Sequence, residues 1–175
     1  HRNQSSMIIR LSLKLAKKIK VGKLVEKPLD ENQYADWSAN VFNVGRTQYI
    51  ILCNTKSMYS CVMYGNGITN DNTFIQRSLS LIREFMEDDG KGSVYEQHII
   101  PATGSVTFAK SLNRSVIGSM NELVMAADAV LSDDVAPHSV GTFLNDTLLS
   151  AIAADGDRGY SKPHEAFERL TNDQS

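Results

Sequence analysis

The residues able to do chemistry are few in this chain, and they are widely spaced. Cys53 and Cys61 have seven residues between them. In a hairpin centred near Ser57 they would stand opposite each other, close enough for a redox bridge. A reducing cytosol favours two buried thiols instead. A cysteine nucleophile needs a nearby base to lower its pKa, and the sequence names none. His1, His98, His138 and His164 fall on separate stretches, and neither HExxH nor HxxxH occurs. No serine stands in G-x-S-x-G, and there is no Walker motif. Gly65-Asn66-Gly67 lies between a strand pattern and a helix pattern, the setting of a phosphate cradle. Asn70 replaces the third glycine, however, and no Lys follows in place, so a turn and a helix cap are expected. Asp155-Gly156-Asp157-Arg158-Gly159 opens like a calcium loop but lacks the third oxygen ligand and the closing glutamate. No metal and no cofactor is expected.

Two constellations are left. Arg46, Gln48, Asn66, Asn70, Thr103, Ser105, Asn113 and Arg114 are polar residues at strand ends and turns, where ligand groups are commonly mounted. Turn chemistry and capping are the favoured account of the same residues. The second is a run of lysines near the start: Lys14, Lys17, Lys18, Lys20 and Lys23.

Those lysines matter because the formal charge of -2 is a cancellation. Residues 1–27 hold eight basic groups and one acid, whereas residues 115–175 hold three basic groups and ten acids. A basic face can meet nucleic acid, an acidic partner protein, or the acidic last third of a second copy, giving a homodimer. Aromatic residues are absent from the basic segment, which argues against single-strand binding.

The elements that must position these residues follow from pattern. A chain of 175 residues, 42% hydrophobic and 22% charged, suits a single domain with a real core. The domain is expected over 7–172, with His1–Ser6 ahead of the first methionine set aside as an extension or cloning remnant. No apolar run reaches the roughly 20 residues of a membrane span, so no membrane partner is expected and a cytoplasmic location is. Met7–Ser12 reads as a strand, and Ser12 caps a helix to about Lys20 that ends near Gly22. Ala39–Val44, Thr47–Cys53 and Met58–Tyr64 read as an antiparallel meander, and Tyr49–Cys53 suits a strand covered on both faces. Helices are expected at about 73–88, capped by Asp71 or Asn72, and at about 112–131. Gly118 in the second of these suggests close packing. Acids Glu87, Asp88 and Asp89 sit at the wrong end of the first helix for its dipole. Ser93–Ile100 and Thr142–Ile152 read as strands, Val106–Ala109 as a short strand, and Pro163–Leu170 as a short C-terminal helix. The order gives an α+β fold: a largely antiparallel sheet packed by two main helices, with short N- and C-terminal helices.

Several phrases together look familiar. They are Met7-Ile8-Ile9-Arg10-Leu11-Ser12 with Leu15-Ala16-Lys17-Lys18-Ile19, Asp36-Trp37, and Arg46-Thr47-Gln48-Tyr49-Ile50-Ile51-Leu52. Arg83-Glu84-Phe85-Met86, Leu112-Asn113-Arg114-Ser115-Val116 and Leu144-Asn145-Asp146-Thr147 complete them. On these, from Met7 to about Leu170, the chain resembles a bacterial family of uncharacterised proteins, a domain of unknown function. The resemblance implies a bacterial cytosolic protein, of a kind often carried on mobile genetic elements. It transfers no catalytic residue.

The function therefore stays unknown at this level, with two readings. One is a non-catalytic binding or interaction module that uses the basic N-terminal face. The alternative is a small enzyme acting on an anionic small molecule, with Arg46 and Arg114 gripping the anion.

Overall fold

The computed structural model describes residues 6–154 and 159–174. Five strands form its sheet: β1 (Met7–Leu11), β2 (Asp36–Val44), β3 (Thr47–Asn54), β4 (Ser60–Tyr64) and β5 (Val106–Ala109). Their order is β4-β3-β2-β1-β5. The expected meander is present, with β2, β3 and β4 paired antiparallel. β1 lies between β2 and β5 and runs parallel to both, so the α+β sheet is mixed.

Helices cover both faces. On one side lie α1 (Leu13–Lys18) and α2 (Asp71–Asp88), followed by the short turn α3 (Gly92–Val94). On the other lie α4 (Arg114–Val130) and α5 (Pro137–Leu144). The C-terminal α6 (Pro163–Gln174) sends Phe167 back into the first core, stacked on Tyr59 at 4.2 Å. This two-sided cover is why Tyr49 to Cys53 is buried at every position.

Local chemistry sets the helix ends. The Ser12 hydroxyl accepts from the Leu15 amide at 3.2 Å, as expected. Asn70, one residue before the expected cap, accepts from Thr73 at 2.9 Å and leaves Asp71 in the first turn. α1 closes earlier than expected, at Ile19, and Lys20 rather than Gly22 takes the left-handed turn at φ 63°. The acids ending α2 each have an answering group. Glu87 pairs with Arg83 at 3.3 Å, Asp88 with His138 at 2.8 Å and Asp89 with Lys91 at 3.2 Å. Tyr59 also donates to Asp89 at 2.6 Å; burial, reinforced by that carboxylate, holds its phenol well above its ordinary pKa.

Two expected strands are helical. Ser93–Ile100 forms α3, then a wide helical turn over Tyr95–Ile99 and a tight one over Ile100–Ala102. Tyr95 and Ile99 are buried while Glu96 and Gln97 are exposed, a four-residue spacing hidden among β-forming residue types. Thr142–Ile152 begins inside α5, whose buried Val140 and Leu144 share a face one turn apart. In that segment only Leu149 makes a bridge, to Ser161. Gly118 does not pack closely: a Cβ there would meet nothing within 4 Å. Gly141 is the glycine that close approach requires, because a Cβ there would collide with the buried ring of Phe85. The loop expected around Asp155–Arg158 lies outside the described residues.

The cysteines are not opposite each other. Cys53 faces Ser60 and Cys61 faces Leu52 in the β3–β4 register. One step of register along a strand changes the face, so Cys53 sits in the α4 core and Cys61 in the α2 core. Burial pushes the Cys53 thiol up to about 12 and Cys61 well above its ordinary value.

An aromatic disulfide reagent should titrate neither thiol in the native protein and both after unfolding. Because the native thiols keep protons that an unfolded chain releases above its ordinary value of 9.0, stability should fall as pH rises from 9.0 towards about 12. A urea midpoint that rises over that window contradicts this. Gly141→Ala should cost about 1–3 kcal/mol, read from urea unfolding, since the Phe85 ring must leave its packed position.

Candidate functional site

The site is best built from Arg10, the charged residue in the middle of β1. It is 1% exposed, and so is permitted only if every donor is met. Its Nε and Nη2 donate to the two carboxylate oxygens of Asp36 on β2, both at 2.8 Å. Its remaining bonds go to backbone: Nη1 to the carbonyls of Lys27 at 2.8 Å and Lys110 at 3.1 Å, and Nη2 to that of Pro28 at 3.0 Å. Asp36, fully buried, also accepts from the Asp30 amide at 3.1 Å. The Asp30 carboxyl is raised above its ordinary pKa, chiefly by burial, with Asp36 adding repulsion.

This ion pair holds the backbone of two lysine-bearing segments against the end of the sheet. Lys110 is held twice, because its amide also donates to the Val25 carbonyl at 2.8 Å. Above it lies a shallow groove. Lys17 and Lys23 from the N-terminal segment and Lys110 from beyond β5 line it, over an apolar floor that includes Ala16, Val21 and Leu24. Leu13 at its rim is 82% exposed. A second hollow continues from it past Lys27 and Lys110. The groove sets three lysines around an apolar strip, and Glu26 joins Lys27 and Lys110 in the lining of the second hollow.

Of the five lysines singled out in the sequence, Lys17 and Lys23 line the groove. Lys14 and Lys18 stand one turn apart on the neighbouring flank of α1, and Lys20 follows the helix, exposed. Lys110 escaped sequence reasoning because nothing local places β5 beside β1. Arg10 carried a signal that was there to read: a guanidinium inside the apolar run Met7–Leu11 requires a buried carboxylate.

The strand-end polar residues are distributed. Arg46, in the β2–β3 turn, is exposed, two residues ahead of Gln48 on β3. The Gln48 carbonyl accepts from Gly65 at 2.8 Å, and its side chain packs where a Cβ on Gly65 would lie. Asn70 is occupied as the α2 cap. Asn113 and Arg114 start α4 near Thr55 and Lys56, at the other end of β3. Eight strand residues at about 3.3 Å each put roughly 25 Å between the two arginine-bearing ends. Thr103 and Ser105 lie at the start of β5, where the Thr103 hydroxyl donates to Ile100 at 2.8 Å and the Ser105 carbonyl accepts from Met7 at 3.0 Å. The structure thus sets Gln48 beside the Gly65–Asn66 turn, and keeps Thr103, Ser105, Asn113 and Arg114 apart from it. His98 stacks on Tyr34 at 4.6 Å, while His138 and His164 contact Asp88 and Asp146. Among the described residues, no helix is long and apolar enough to cross a membrane.

Asp36→Asn should leave the Arg10 charge buried without its counter-ion. We expect a loss of about 3–5 kcal/mol in urea unfolding. The Lys110 amide should also exchange with deuterium faster than amides in β3, and uniform exchange across the sheet would separate the groove from the ion pair.

No curated protein matches the chain. The model of a family described as a domain of unknown function (DUF6933) matches residues 8–166, from the first strand to the last helix, and the chain belongs to that family.

Proposed function

We propose that this protein is a non-catalytic binding module whose basic groove receives an acidic, partly apolar polypeptide segment. The observation that carries this reading is the convergence of Lys17, Lys23 and Lys110 on one groove with an apolar floor and an exposed Leu13. Charge alone would suit any polyanion. The apolar floor favours a peptide that sets an aliphatic side chain between the lysines, because burying such a side chain is worth about 1.5–3 kcal/mol while screened surface charge contributes less. Lys14, Lys18 and Lys20 extend the positive field around the groove and speed encounter. A bacterial cytosol is the setting this reading assumes, in a family of a kind often carried on mobile genetic elements. A homodimer using this groove would need the acidic last third of a second copy as the occupant.

The test is a fluorescence titration with a synthetic peptide of alternating glutamate and leucine, beside a short DNA duplex. Peptide affinity should fall steeply as salt rises from ~50 mM. The triple variant Lys17→Glu, Lys23→Glu, Lys110→Glu should weaken it at least tenfold, about 1.4 kcal/mol, while Arg77→Glu on α2 leaves it unchanged. Tighter binding of the duplex through the same lysines overturns the peptide reading in favour of nucleic acid. No binding of either overturns the module itself. Light scattering reads the dimer directly.

A further inference from the structure

We propose that the cavity under the N-terminus of α4 is a binding site for a small organic carboxylate. It is distinct from the basic groove and rests on different residues. α4 is 17 residues long, and its aligned peptide dipoles place partial positive charge at its start. The Asn113 side chain caps the Val116 amide at 3.0 Å, and the Asn113 carbonyl accepts from Ile117 at 3.3 Å. The amides of Arg114 and Ser115, at the first two helical positions, have no acceptor within the helix.

The cavity beside this turn measures about 160 Å³. Ser115 and Ser119 of α4 and Lys56 of the β3–β4 turn supply its polar side, and Leu29, Met58 and Ile152 supply an apolar wall. No Asp or Glu is among its lining residues.

Ser119 is the independent sign of a ligand. It is 2% exposed and lines the cavity, and no described group hydrogen-bonds its hydroxyl. A serine inside a helix ordinarily donates to the carbonyl one turn back. The Ser119 hydroxyl is therefore a donor left for an occupant of the cavity that accepts a hydrogen bond. Thr55, also on the wall, is already engaged with Ser38 at 2.8 Å. The free donors are therefore Ser119, the α4 amides and Lys56, all suited to an anion. A cavity of roughly 150 Å³ holds a benzene-sized molecule, which sets the size of the apolar body. A carboxylate on a short aliphatic or aromatic body meets both sides at once.

Benzoate titrated into the native protein, followed by amide NMR, should shift the resonances of Ser115, Val116 and Ser119. Benzamide, of the same shape without the charge, should bind at least tenfold more weakly. Ser119→Ala should lower benzoate affinity at least tenfold while leaving the melting temperature of the free protein unchanged or raised. Lys56→Gln should weaken benzoate but not benzamide. The groove variant Lys17→Glu should leave benzoate binding intact, so this site and the peptide groove fail or stand separately. The proposal is overturned if benzoate and benzamide bind equally, if Ser119→Ala leaves benzoate affinity unchanged, if inorganic phosphate binds in place of benzoate, or if no probe shifts these resonances at millimolar concentration.

Discussion

The buried pair of Arg10 and Asp36 organises this molecule. A guanidinium has five N–H donors in a fixed plane, and in a dry interior each needs an acceptor. Here the carboxylate of Asp36 takes one edge, and the carbonyls of Lys27, Pro28 and Lys110 complete the set. Those acceptors come from three places in the chain. A single side chain thereby fixes β1 to β2, holds the long connection after α1, and anchors the exit from β5. Desolvation makes such a pair a poor source of net stability against a well-packed apolar replacement. Its value here is specificity: only one arrangement of these segments satisfies it.

That arrangement carries the basic groove. The lysines of the groove have long side chains, but the backbone beneath Lys110 is held by the Arg10 bond on its carbonyl and the Val25 bond on its amide. Flexible charges on a fixed base suit recognition of a partner by field and apolar contact. The sheet edges are closed by similar economy. Asn145, just past α5, accepts from the Ser60 amide at 2.7 Å and donates to the Ser60 carbonyl at 3.0 Å, imitating a neighbouring strand on β4.

Much of the fold was legible locally. The meander, α2, α4 and the cap at Ser12 follow from periodicity and from a short polar side chain ahead of an apolar run, whereas Asn113, expected inside the second main helix, is its cap. The two misread strands share a cause. Around Tyr95–Ile99 and Val140–Leu144 the residue types favour β-structure, and burial on a four-residue spacing overrode that preference. The cysteines show a different limit. A shift of one residue in the β3–β4 register, invisible in the sequence, sends their thiols to opposite faces.

The sequence by itself determined the α+β class, the segregation of basic and acidic residues, and the absence of the familiar catalytic motifs. Each of these depends on residue type and near neighbours. Tertiary structure alone decided which charges meet. Parallel insertion of β1 between β2 and β5 is a pairing between distant segments, and no local pattern encodes it. That pairing brings Lys110 to Lys17 and Lys23, and it leaves Arg46 and Arg114 near opposite ends of β3. Electrostatic recognition depends on distance, and for these residues distance follows from the long-range topology of the sheet.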